Sequence, residues 1–321
     1  MESALRGLIP WLSTGISPNP LDFLNPVRPI MQWYYSGQLN RFLSSKLDQR
    51  LDSLQSSDAK PGKSVVDLAL KTYFSDDSTN KPVLPSSLKT FILDQIKLFI
   101  FAGHDTTSST ICYSYHLLSK SPKSLSALRA EHDEVLGTDI TKAASLIQEK
   151  PHLLNSLPYT LAVIKETLRL FPTSASLRTG SPNVSLTDEQ GQKYPTKHCM
   201  IFSNHQGLGR NAEFWPKPDE FIPERFLVGQ GDPLYPVKGA WRPFELGPRN
   251  CVGQELANLE MKAVLALTAR EFEIEAAYDE IDRKTNKTGL KTVNGERAYQ
   301  IIYGAAHPVG GLPCRVKLAT S

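Results

Sequence analysis

Cysteine is scarce in this chain. Its four residues, Cys112, Cys199, Cys251 and Cys314, are scattered through 321 positions without the paired spacing of a metal finger. A disulfide framework is therefore not expected, which suits a reducing compartment. Excess charge is lacking too: the formal net charge is +3, and no dense basic stripe marks a nucleic-acid surface. Long apolar runs are also missing. The opening "MESALRGLIPWLSTG" is broken by Pro10 and reads as neither signal peptide nor membrane span. The most apolar later window, "FILDQIKLFIFAG", carries Asp94 and Lys97 and cannot cross a bilayer unaided. As written, the chain reads as soluble or at most peripheral, with no transmembrane segment. What is present is 40 % hydrophobic content, enough to bury a substantial core in one large domain or two smaller ones.

Periodicity supplies the first positive signal. Tyr35, Leu39, Leu43, Leu47 and Leu51 recur every four residues, with Phe42 widening the stripe, and predict an amphipathic helix. The polar stretch 52–64 predicts a loop. A helix about 86–120 follows, stopped by Ser121-Pro122, and would span roughly 50 Å at the usual rise. Helices are predicted at 123–136 and 158–170, the second opening on Pro158 in the favoured first-turn position. A Pro- and Gly-punctuated region, 171–250, holds short strand-like pieces such as "HCMIFS". The last clear helix begins just after Cys251 and runs to about 270. Beyond it "FEIEAAYD" and "AYQIIYGAAHPVGGLPCRVKL" read as strands and a hairpin. No internal repeat is visible. The fold class is mainly α with a small β portion concentrated late, an α+β chain.

Four short patterns bear on chemistry. "PFELGPRNCVGQELA", residues 243–257, places Cys251 between a Gly247-Pro248 turn and a helix start. A lone cysteine is usually a small buried hydrophobe. At a helix start, however, the amides carry partial positive charge that favours a thiolate. A thiolate with no second protein ligand suits haem iron, whose porphyrin supplies four other donors, and makes a poor zinc site. Gly253 removes bulk where a flat macrocycle would approach, and Arg249 and Arg242 offer partners for its propionates, unless they are ordinary solvated charges. "AGHDTT", residues 102–107, sits mid-helix although Gly costs about 1 kcal/mol there. Ala102, Gly103 and Thr106 share a face, either to make room for a ligand or to let two helices pack closely. Asp105 and Thr106 would make a proton relay. In "KETLR" Glu166 and Arg169 stand one turn apart, a pair that on a surface is worth little. Arg225 in "FIPERF" says almost nothing alone.

Together and in this order, these patterns resemble the cytochrome P-450 superfamily of haem-thiolate monooxygenases. Phe244, Gly247, Arg249, Cys251 and Gly253 match its F-x-x-G-x-R-x-C-x-G signature. "AGHDTT" is similar to its oxygen-activation segment, Glu166 and Arg169 to its E-x-x-R pair, and Arg225 to the third member of its structural Glu-Arg-Arg cluster. Arg178 lies where the family often offers a propionate partner. The resemblance implies a haem b whose iron takes its axial thiolate from Cys251, O2 as co-substrate, and an NADPH-dependent reductase as electron donor. It implies insertion of one oxygen atom into a lipophilic small molecule, with Asp105 and Thr106 feeding protons. It also implies a substrate pocket lined by helix residues 98–106, the segment 174–177 and the late hairpin near 306–311. The Pro-rich loops and "ETLRLFP" resemble eukaryotic members, fungal ones in secondary metabolism among them.

Residues 1–85 alone precede the long helix, whereas complete members carry an extensive helical region and often a membrane anchor there. The expectation is thus a single partial domain over 1–321, incomplete at its N-terminus, with the haem-thiolate loop at 243–253. A missing anchor would place the protein at the cytosolic face of the endoplasmic reticulum; otherwise it would be cytoplasmic. Gly209-Arg210 stands where many members carry His-Arg, which reads as ordinary variation. Two alternatives stay open: a non-catalytic fragment or incomplete gene model of such an enzyme, and a haem-thiolate isomerase or dehydratase. The intact Asp105-Thr106 pair argues against the last.

Overall fold

In the computed structural model the described residues are 25–55, 84–285 and 291–319, with isolated positions 7, 64, 66–68 and 70. The opening segment and most of the predicted 52–64 loop lie outside them. The chain divides into two compact units, 1–104 and 105–321.

In the first unit the four-residue leucine repeat becomes helix α1, Val27–Gln55. Leu39, Leu43 and Leu47 are buried, packing with Ile92, Leu93, Ile96 and Ile100. These come from helix α2, Ser86–Lys120, whose bounds match the sequence expectation. Each such leucine contributes roughly 1.5–3 kcal/mol through burial. Phe42 does not widen the buried stripe as expected. It stays exposed, with the Lys46 ammonium 6.0 Å from its ring centroid, so a lysine stem and not the core covers it. Lys89 pairs with Asp48 at 2.6 Å, and Arg50 pairs with Asp67.

The second unit is built from the rest of α2 and from α3 (Pro122–Leu136), α4 (Ala143–Glu149), α5 (Pro158–Leu170), α6 (His205–Gly209), α7 (Gln254–Thr268) and α8 (Tyr278–Lys284). Pro122 and Pro158 each sit in the first turn of their helix, where the missing N–H costs nothing. Helix α5 is the keystone. Val163, Ile164 and Leu168 pack with Tyr115 and Leu118 of α2, Leu128 of α3, and Met261 and Leu265 of α7. Helices α4, α6 and α8 are too short to show an apolar period and were not expected from the sequence.

Among the described residues the β portion is four separate antiparallel ribbons. Strands β1 (Ser176–Thr179) and β4 (Met200–Ser203) pair, as do β2 (Ser185–Thr187) and β3 (Lys193–Pro195). Strand β5 (Phe272–Ala276) pairs with β8 (Cys314–Leu318), and β6 (Gln300–Tyr303) forms a hairpin with β7 (Ala305–Pro308). No helix among the described residues is long and apolar enough to cross a membrane.

Candidate functional site

Glu166 and Arg169, whose spacing alone suggested a surface pair, are both fully buried on α5. Arg169 Nε donates to Glu166 Oε2 at 2.7 Å and Nη2 to Oε1 at 2.8 Å. The same guanidinium donates to the carbonyls of Gly209, Pro218 and Glu220. Arg225 joins from the short helical turn Pro223–Phe226, donating from Nε to Glu166 Oε1 at 3.2 Å and from Nη2 to the Lys217 carbonyl at 2.8 Å. Two guanidiniums share one carboxylate, and burial pulls that of Arg225 below its usual range despite the pull of Glu166. Trp215 closes the cluster. Its ring lies 5.1 Å from the Arg169 guanidinium and its Nε1 donates to the Leu208 carbonyl at 3.1 Å. Gly209 is a packing requirement and not neutral variation: a Cβ there would run into the Arg169 carbonyl oxygen. Neither Trp215 nor Gly209 carried a signal in the sequence.

The cysteine loop is organised by its backbone. Gly247 takes φ +78°, a left-handed conformation open to glycine, and starts the helical turn Gly247–Arg249. The Cys251 amide donates to the Phe244 carbonyl at 2.8 Å, closing the loop on the residue that opens the motif. Phe244 anchors it by packing against the core beside Trp241, 6.0 Å away between ring centroids. Gly253 precedes the first turn of α7, and a Cβ on it would stand 3.9 Å from Cys251 Sγ, an ordinary contact.

A residue the sequence reading missed locks this loop. Glu245 adopts φ 58° and receives Arg242 on Oε2, Nη2 at 2.6 Å, while His205 Nε2 stands 3.1 Å from Oε1. Burial works to raise its carboxyl, but hydrogen bonds from Arg242, His205 and Ser176 outweigh this and hold it down at about 2. Arg242, one candidate propionate partner, is thus already paired. Arg178 on β1 is exposed and donates to its neighbour's carbonyl at Leu177, and Arg249 is exposed with no ion pair among the described residues.

Within α2, Ala102 and Gly103 are exposed, and a Cβ on Gly103 would meet nothing within 4 Å. Among the described residues no close packing partner accounts for glycine there. Asp105 is buried, while Thr106 is half-buried. The Asp105 carboxylate turns to the β6–β7 hairpin, accepting from the Ala305 amide at 2.7 Å.

The residues around Cys251 fit a haem. The donor set is one exposed thiol, and no group of three or more His, Cys, Asp or Glu stands in metal-holding arrangement among the described residues. Its sequence neighbours Leu246, Val252 and Leu256 turn large apolar side chains outward, Val252 being 87 % exposed. A lone soft donor flanked by outward apolar groups, with exposed arginines at 178 and 249 that form no ion pair among the described residues, suits a flat apolar macrocycle carrying acidic edges.

Comparison with known proteins gives the family. The cytochrome P-450 family model matches residues 17–303. Cytochrome P-450 monooxygenase polC of Polytolypa hystricis is 43 % identical over all of this chain, which covers 58 % of that protein. Cytochrome P-450 monooxygenase acrF of Aspergillus aculeatus is 35 % identical over 98 % of the chain, which covers 66 % of it. The chain thus spans less than two thirds of either relative. A crystal structure of a cytochrome P-450 superposes with a TM-score of 0.68 at 21 % identity, over 96 % of this chain and 61 % of that one.

Proposed function

The chain belongs to the cytochrome P-450 family, and from that premise we propose that it supplies the haem-binding and proton-handling part of a monooxygenase that inserts one oxygen atom of O2 into a lipophilic small molecule. The observation that carries the reading is the exposed Cys251 thiol at the head of α7, held by a loop whose backbone is fixed independently of that thiol.

Cys251 would hold the iron of haem b through its thiolate, with Arg178 and Arg249 meeting the propionates and Arg242 bracing the loop through Glu245. Haem with a thiolate ligand supplies the electron donation that favours O–O cleavage. The chain's own residues do the rest. Phe244 and Gly247 fix where the sulfur stands. Leu246, Val252 and Leu256 exclude water from the macrocycle's surroundings. Asp105 and Thr106 hold and pass the protons, and a reductase fed by NADPH delivers electrons. The fungal relatives named monooxygenases support this reaction class, and a place in secondary metabolism fits them.

The test is haem reconstitution followed by reduced-plus-CO difference spectroscopy. The parent chain is expected to show the shifted Soret band of thiolate ligation, and Cys251→Ser to lose it. A band that survives the substitution removes Cys251 as ligand, and a parent without haem uptake removes the assignment.

A further inference from the structure

The β6–β7 hairpin is fastened to α2 at three points. The Ala305 amide donates to Asp105 Oδ2 at 2.7 Å, His307 Nε2 stands 3.0 Å from Asp105 Oδ1, and Ser109 Oγ donates to the Ala306 carbonyl at 2.6 Å. On the hairpin's other side the Ala306 amide donates to the Thr173 carbonyl at 2.8 Å. Both Asp105 oxygens are therefore engaged by residues about 200 positions away. The Asp105 side chain is 9 % exposed and that of His307 25 %. His307 also lines a solvent-open cavity of about 240 Å3 with Ser108, Ser109, Cys112, Ile301 and Pro308. At about 30 Å3 each in the liquid, several water molecules fit that space. Cys112 is the other titratable group on its wall, and burial pushes its thiol up, so it stays neutral beside His307.

We propose that His307 is the positioning residue of Asp105 and feeds it protons from this cavity. The inference rests on the haem-thiolate reading, in which Asp105 and Thr106 pass protons onward. The step balances. His307 gives a proton from Nε2 to Asp105 Oδ1 while Nδ1 takes one from water that draws it from bulk solvent. Once Asp105 has passed its proton on, a half-turn of the ring brings the new N–H back to Asp105, so each cycle takes one proton in and hands one out. The Ala305 amide keeps the carboxylate in one rotamer meanwhile. The hairpin thereby becomes part of the proton path, and displacing it would cost Asp105 these two contacts.

The test joins ring 15N NMR and amide exchange with turnover of the haem-loaded protein. Asp105→Asn is expected to move the His307 Nε2 resonance, and His307→Ala to speed exchange of the Ala305 amide. His307→Gln keeps an N–H donor but cannot shuttle a proton. It is expected to leave Ala305 exchange as in the parent while raising peroxide released per O2 consumed roughly tenfold, under the roughly 10²–10⁴-fold of a direct general acid–base group because His307 acts through Asp105. A His307 resonance indifferent to Asp105→Asn overturns the contact, and parent-like coupling in His307→Gln overturns the proton feeding. A parent that shows no thiolate-haem spectrum instead fails the proposed function, and the proton-feeding role with it, while ring NMR still decides the positioning.

Discussion

Two charged constellations in this molecule use the same residue types to opposite ends. Around Glu166 every element is turned inward: two arginines, one carboxylate and four backbone carbonyls are sealed under Trp215. Around Cys251 the polypeptide closes only its own backbone, leaving the thiol, three apolar side chains and Arg249 facing outward. The first is finished by the chain and holds in place the meander formed by residues 209–225. The second is built to be finished by something else. Removing a member should therefore unfold one and merely silence the other.

The sharpest way to break that contrast is Glu166→Ala, which leaves two buried guanidiniums without their carboxylate. A loss of about 3–5 kcal/mol in urea unfolding is expected, enough to unfold much of the population at 25 °C. Trp215→Phe should cost about 2 kcal/mol, because it removes buried ring area and one of the hydrogen bonds to the Leu208 carbonyl. Glu245→Gln should cost about 1 kcal/mol at neutral pH, the Arg242 partner being partly open to solvent. Its pH signature is more telling. The folded-state carboxyl lies at about 2 against an ordinary 4.5, so its stabilisation is complete above the ordinary value and lost as pH falls from 4.5 toward 2. The variant should lack that limb of the acid-unfolding curve. Smallest of all, Cys251→Ser should change unfolding by less than about 0.5 kcal/mol while abolishing the haem spectrum. A Cys251 variant that unfolds like Glu166→Ala would erase the distinction between the two constellations.

The legible part of this molecule was the local part. The bounds of α2 followed from an unbroken helical run ended by Ser121-Pro122, and the cysteine loop followed from Gly247, Pro248 and a helix start. The E-x-x-R spacing was visible, yet nothing in five residues says whether such a pair is buried, because burial is decided by Trp215 and the 217–225 meander. Glu245 looked like any loop carboxylate, since its partner His205 lies 40 residues away. His307 was hidden for the same reason. Contacts across two hundred positions leave no periodicity to read.

Arg169 grips the meander by main-chain oxygens at 209, 218 and 220, not by side chains. Any residue offers such an oxygen. Apart from Gly209 and Trp215, the stretch between these anchor points is therefore free to drift in identity over generations while its path through space stays fixed, and new surface chemistry can be tried there without rebuilding the frame.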